Sequence, residues 1–128
     1  DGEKIRSQPE FDFTNYLRNR LNLKYNIDYF RDVKYKTFVE CDKNLTCDYI
    51  INSKDGNIYI EIVGFLKPEK KSTFRTDVYN KKSKEKYRKG LIKKENIFLK
   101  ANLKYYILFT CDLNEEYLDG LFYQYKWW

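Results

Sequence analysis

Alternating and helically spaced apolar residues divide the chain into a series of predicted helices and strands. Runs that alternate, or are almost wholly apolar, predict strands over 28–40, 45–52, 58–65 and 104–110. Apolar stripes at helical spacing predict helices over 7–22, from about 76 to 102, and over 114–125. The predicted order is therefore α-β-β-β-α-β-α, within one domain that spans residues 1–128.

The second and third predicted strands each carry one acid among apolar residues, Asp48 in "CDYIIN" and Glu61 in "IYIEIVG". If Asp55-Gly56 forms the centre of a two-residue turn, Asp48 lies opposite Val63, and Asp48 and Glu61 are diagonal neighbours at roughly 7–8 Å. The other face of the hairpin is then apolar and suits the core: Tyr49, Ile51, Ile60 and Ile62.

Two carboxylates on one face repel each other unless a cation lies between them, and oxygen ligands suit a hard cation such as Mg²⁺. The alternative is two unrelated acids on a solvated face, which their Ile, Tyr and Val neighbours disfavour. The pattern therefore predicts a metal site that holds Mg²⁺ or Mn²⁺.

Basic residues are concentrated in one part of the chain. Residues 67–104 contain 14 Lys/Arg and 4 Asp/Glu, a net charge of +10. Because the whole chain has a net charge of +6, the remaining residues together have a net charge of −4. Such a basic segment is typical of a protein that binds nucleic acid, although a solvated helix face in a lysine-rich chain has the same composition. The residues expected to contact phosphates are Lys70, Lys71, Arg75, Lys82, Lys93 and Lys94.

Absent residues exclude several classes of chemistry. With no histidine in the chain, Ser-His-Asp and Cys-His nucleophiles and HExxH zinc sites are ruled out. Three cysteines without CxxC spacing favour buried thiols in a reducing compartment. We therefore expect an intracellular protein, in the cytoplasm or nucleoid, with no membrane partner. A first residue other than Met predicts a piece of a longer protein, which could carry a further DNA-binding domain.

The αβββαβ order, with an Asp in the second strand and a Glu in the third, resembles the PD-(D/E)XK nuclease superfamily. Cys47 stands where the family has a proline, and Val63 stands where its E-x-K motif has the lysine. "YIEIVG" is similar to the IE-x-x-G signature of a branch that includes very-short-patch-repair and phage homing endonucleases, several of which take the lysine from the following helix. Tyr79, Lys82 and Lys86 match the Tyr-x2-Lys/Arg-x3-Lys pattern of that helix.

The resemblance implies an α/β (α+β) fold with a restriction-endonuclease-like core, in which helices flank a mixed four-stranded sheet. It implies that Asp48 and Glu61 bind Mg²⁺ or Mn²⁺, together with Glu10 from the first helix. Glu10 is equally well explained as the capping-box partner of Ser7.

The expected activity is hydrolysis of phosphodiester bonds in duplex or branched DNA. Lys86 is the expected replacement for the missing motif lysine because it lies about 20° from Tyr79 on the helix face predicted to pack on the sheet, with Lys82 as the reserve. The alternatives are a non-catalytic nucleic-acid-binding module with the same fold and a nuclease that acts on RNA.

Overall fold

The computed structural model describes residues 2–41, 44–63 and 85–125, with only the helical backbone for residues 85–88. The first helix, α1 (Gln8–Asn15), continues into a π-helical turn (Tyr16–Arg20). The strands are β1 (Tyr29–Lys34), β2 (Thr46–Ser53), β3 (Gly56–Val63) and β4 (Lys104–Phe109). The remaining helices are α2 (Glu85–Lys100) and α3 (Glu115–Phe122), and short 3₁₀ turns cover Tyr35–Thr37 and Thr110–Asp112.

The four strands form one mixed sheet in the order β1-β2-β3-β4. The β1–β2 and β2–β3 pairs are antiparallel, whereas β3 and β4 are parallel. A parallel pair needs a crossover connection, and α2 lies in the connection between β3 and β4. The predicted element order and the mixed four-stranded sheet are confirmed at this level.

Helices cover both faces of the sheet. On one face, Phe13 and Leu17 of the N-terminal helical segment and Phe122 of α3 pack against Tyr49 and Ile60. The whole predicted apolar face of the hairpin belongs to this cluster: Tyr49, Ile51 and Ile60 are buried in it, and Ile62 packs against it. On the other face, Leu91 of α2 is buried in a cluster with residues of β3 and β4, and Phe98 of α2 is buried in a cluster with residues of β2 and β3 and with Tyr35. Among the described residues, no helix has the length and apolar character that a membrane crossing requires.

Two predicted boundaries are wrong. The strand predicted over 28–40 ends at Lys34, because the chain turns into the 3₁₀ segment at Tyr35, whose N–H donates to the carbonyl of Leu45 at 2.9 Å. The helix predicted over 7–22 leaves regular α geometry at Tyr16 and stops before Asn22, which has a φ of 60°. For the helix predicted from about 76 to 102, residues 76–84 lie outside the described residues.

The predicted register of the hairpin is also wrong, by two residues. Ile50 pairs with Tyr59, and Ser53 pairs with Gly56, so Lys54-Asp55 forms the turn. Of Lys54, Asp55 and Gly56, only Gly56 has a positive φ, at 115°, which suits a type I turn over Lys54-Asp55 followed by a glycine and not a type I′ turn over Asp55-Gly56. A shift of two residues keeps every side chain on its predicted face, because side chains alternate with a period of two.

Candidate functional site

Glu61 is a buried carboxylate in the centre of β3, with 2% of its side chain exposed. The Tyr35 hydroxyl donates to its Oε2 atom at 2.8 Å, and the Lys94 amine donates to its Oε1 atom at 3.0 Å. Both carboxylate oxygens are therefore hydrogen-bonded, one to a neutral partner and one to a cation.

Asp48 lies beside Glu61 on the neighbouring strand. The β2–β3 ladder ends at the pair Tyr49–Ile60, and Asp48 and Glu61 are the next residues of the two strands, on the same face of the sheet. The Asp48 Oδ2 atom accepts the backbone N–H of Ile62 at 2.7 Å. Asp48 is only partly buried, so the site opens to solvent on the Asp48 side.

The pKa values of both carboxylates are raised. Burial, followed by the charge of Asp48, raises the pKa of Glu61 to about 8, against the opposing effects of Lys94 and Tyr35. Burial also raises the pKa of Asp48, and the charges of Asp32 and Glu10 add to this shift. Both shifts show that the positive charge of Lys94 does not fully offset the burial of the two acids.

Lys94 comes to the site from α2. Its amine bonds to the Thr46 carbonyl at 3.1 Å as well as to Glu61, and 21% of its side chain is exposed. Burial alone lowers the pKa of Lys94, but the nearby carboxylates of Glu61 and Asp48 outweigh burial and raise it above its ordinary value. The amine therefore stays protonated at neutral pH.

The sequence prediction placed Lys94 among the phosphate-contacting residues and missed its contact with Glu61. A signal was present, since Lys94 follows Leu91 by three residues and precedes Phe98 by four, and residues at these spacings share a helix face. Leu91 and Phe98 are both buried, so α2 turns the Lys94 position toward the sheet.

The structure describes only two of the other predicted lysines, Lys86 by its backbone and Lys93 in full. Lys86 lies in the first described turn of α2, about 12 Å along the helix axis from Lys94 and rotated by about 80°. Its side chain lies outside the described residues, as do Lys70, Lys71, Arg75 and Lys82. Lys93 is exposed on α2.

Glu10 lies on α1 and its carboxylate is held by arginines. Its Oε1 atom accepts from Arg31 at 2.7 Å and from the backbone N–H of Arg6 at 3.1 Å. The Ser7 hydroxyl caps α1 by accepting the Glu10 N–H at 3.4 Å, as predicted, but the Glu10 carboxylate accepts the N–H of Arg6 in place of the Ser7 N–H that a capping box requires. Glu10 is thus close enough to affect Asp48 electrostatically, while its own charge is already paired.

Hard oxygen donors and a shortage of positive charge make Asp48 and Glu61 suitable ligands for Mg²⁺ or Mn²⁺. Among residues 2–41, 44–63 and 85–125, no group of three acidic or cysteine side chains has the arrangement of a metal site. Two carboxylates alone still fit Mg²⁺, which commonly binds one or two protein carboxylates and keeps several waters. A surface groove of about 570 Å³ between the π-helical turn and α3 contains none of the predicted site residues.

The site combines two adjacent acids on central strands with one lysine from the crossover helix. No protein-family model, curated protein or solved structure matches this chain. Its function is therefore inferred from the geometry of Asp48, Glu61 and Lys94.

Proposed function

We propose that the chain is a metal-dependent endonuclease that hydrolyses phosphodiester bonds in DNA. The observation that carries this proposal is the contact between the Lys94 amine and Glu61 beside Asp48. Two acids and a lysine are the functional groups of the PD-(D/E)XK motif, and here the lysine is supplied by the helix that follows the Glu strand.

The topology supports a restriction-endonuclease-like core. One helix precedes three antiparallel strands, α2 follows the Glu strand, and β4 then pairs in parallel with that strand. The acids lie on the two central strands of this sheet, next to the face that α2 covers.

In this proposal, Asp48 and Glu61 would hold Mg²⁺ or Mn²⁺. When bound, such an ion neutralises phosphate charge and activates water for attack on phosphorus. We assign Glu10 to the electrostatic surroundings of Asp48 and not to the metal, because two arginines already compensate its charge, whereas Asp48 and Glu61 share one lysine.

Lys94 would stabilise negative charge that develops on the phosphate. The neighbouring carboxylates keep its amine protonated, so it is suited to donate hydrogen bonds and not to accept a proton from water. This assignment moves the role of the motif lysine from Lys86 and Lys82 to Lys94.

Exposed basic residues would contact the DNA backbone. Lys93 lies on the solvent side of α2, one residue from Lys94, and therefore suits a phosphate contact beside the site. The predicted contacts of Lys70, Lys71, Arg75 and Lys82 remain part of the proposal.

A non-catalytic nucleic-acid-binding module is the second candidate. It is favoured by the complete hydrogen bonding of Glu61, since a purely structural ion pair would also have both carboxylate oxygens occupied. The two candidates differ in whether metal ions promote strand cleavage.

Cleavage assays distinguish these functions. The chain and its Glu61→Gln variant would be incubated with supercoiled plasmid and with single-stranded, duplex and branched DNA and RNA oligonucleotides, in Mg²⁺, Mn²⁺ or EDTA. We expect nicked or linear plasmid with either metal, and no cleavage in EDTA or by the variant. Binding without cleavage would favour the non-catalytic module, and preferential cleavage of RNA would favour an RNA-directed nuclease.

A further inference from the structure

Tyr35 is a buried hydrogen-bond partner of Glu61 and is not part of the sequence motifs that resemble the PD-(D/E)XK nucleases. Its side chain is inaccessible to solvent, and its hydroxyl donates to the Oε2 atom of Glu61 at 2.8 Å. It lies in the 3₁₀ turn that follows β1, on the sheet face covered by α2.

Packing fixes the position of the Tyr35 ring. The ring centroid lies 5.3 Å from that of Phe38 and 5.4 Å from that of Phe98. The backbone N–H of Tyr35 is also bonded to the Leu45 carbonyl at 2.9 Å. A ring held by aromatic neighbours on two sides and by its own backbone presents its hydroxyl at one fixed point.

This fixed hydroxyl makes the two oxygens of Glu61 unequal. Oε2 is held in the core by a neutral donor, whereas Oε1 is bonded to Lys94, a partly exposed side chain on the solvent side. Because Tyr35 holds one oxygen, the whole Glu61 carboxylate is oriented before any cation binds. A carboxylate that is already oriented loses less conformational entropy on binding a cation, and hydrogen-bond partners of ligating carboxylates tune metal affinity in this way.

We propose that Tyr35 is a positioning residue that fixes Glu61 Oε2 and thereby orients the carboxylate that would bind the metal ion. This inference rests on the proposed metal-dependent function of Asp48 and Glu61. It concerns metal affinity first, and cleavage only through the bound metal.

Tyr35→Phe tests the inference, because it removes the hydroxyl and keeps the ring. Tyr105→Phe is the matched control. Like Tyr35, Tyr105 packs on Phe98 and donates a hydrogen bond to a buried glutamate, which in this case is Glu95 of α2 at 2.9 Å. Mn²⁺ binding to each variant would be measured without nucleic acid, from the electron paramagnetic resonance signal of free Mn²⁺. Thermal unfolding of both variants would define the temperature at which each is folded.

We expect Tyr35→Phe to weaken Mn²⁺ binding about 10-fold or more, and Tyr105→Phe to leave it within about twofold of the unmodified chain. Cleavage by Tyr35→Phe should require more metal but approach the unmodified rate at saturating metal. Equal Mn²⁺ affinity in the two variants would overturn the role of Tyr35 while leaving the nuclease proposal intact. An unmodified chain that binds no Mn²⁺ would overturn both.

Discussion

Two glutamates with buried side chains have opposite electrostatic surroundings in this chain. Glu3, with 1% of its side chain exposed, bonds to Arg31 at 2.7 Å, Arg18 at 2.6 Å and the Tyr29 hydroxyl at 2.6 Å. Burial raises its pKa, but the hydrogen bonds from Tyr29, Arg31 and Arg18 outweigh burial and lower the pKa below its ordinary value. Glu61 exposes a similarly small fraction of its side chain, 2%, but is buried as a whole residue, which Glu3 is not, and its pKa is raised.

The deeper burial of Glu61 contributes to this difference in pKa, and so does the number of cations per carboxylate. Glu3 is bonded to two arginines, whereas Asp48 and Glu61 share one lysine. Counting these charges leaves one uncompensated negative charge at the Asp48–Glu61 site when both acids are ionised. A compensated buried carboxylate is typical of a structural ion network, and a buried acid with a perturbed pKa beside a second acid is typical of a functional site.

The largest expected effect separates the two glutamates by activity. Glu61→Gln removes a proposed metal ligand and should reduce cleavage on the order of 10³-fold or more, as removing a metal ligand abolishes the activation of water. Asp48→Asn should have a comparable effect. Single-turnover assays on a plasmid or duplex substrate would measure both.

The matched control for this prediction is Glu3→Gln, assayed at a temperature where it is folded. It should retain cleavage within about threefold, because the Glu3 network contacts neither proposed metal ligand. An equal loss of activity in Glu3→Gln and Glu61→Gln would contradict the functional distinction.

The second prediction separates the glutamates by stability. Glu3→Gln removes the carboxylate that Arg31 and Arg18 share and leaves Arg31 bonded to Glu10 alone. It should lower the free energy of unfolding by about 3 kcal/mol, the lower end of what is expected when one partner of a buried ion pair is removed. Denaturant unfolding would measure this change. Glu115→Gln is the control, because its ion pair with Arg20 is exposed and should contribute less than about 0.5 kcal/mol.

The third prediction concerns the single cation of the site. Lys94→Ala should reduce single-turnover cleavage about 10²-fold, the size of effect expected when one electrostatic group is lost. Lys93→Ala, one residue away on the exposed side of α2, should change the chemical step little and mainly weaken DNA affinity. Equal, modest losses in the two variants would mean that α2 supplies positive charge without a specific role for Lys94.

The smallest expected effect is a pH dependence of stability. The pKa of Glu61 rises from an ordinary value of 4.5 to about 8 on folding. Between these values the folded chain binds a proton that the unfolded chain has released, so the free energy of unfolding falls as pH rises through this window. Asp48→Asn removes the charge that contributes to this shift and should reduce the loss between pH 5 and pH 8 by about 1–2 kcal/mol.

Denaturant unfolding at pH 5 and pH 8 would check this prediction. Asp119→Asn is the control, since Asp119 has a lowered pKa and therefore titrates below this range in both states. If the Asp48 and Asp119 variants keep the same difference between the two pH values, the carboxylates of the site are not coupled as the structure indicates.

Local patterns in the sequence were sufficient for the order of elements and for the shared face of the acids. Asp48 and Glu61 share a face because side chains alternate along strands, and this survived a register error of two residues. The contact between Tyr35 and Glu61 was not predictable, because Tyr35 was assigned to a continuous strand and the 3₁₀ turn redirects it into the core.

The sequence by itself determined which chemical groups were available, with carboxylates and lysines present and histidine absent, and which strands carry the acids. Only the tertiary structure decided which lysine reaches Glu61. The rotation of α2 about its axis is set by the burial of Leu91 and Phe98 against the sheet, and this brings the Lys94 amine to the Oε1 atom. Helical periodicity fixes the angles between lysines on one helix, but the side of that helix that meets the sheet depends on packing with residues distant in the chain.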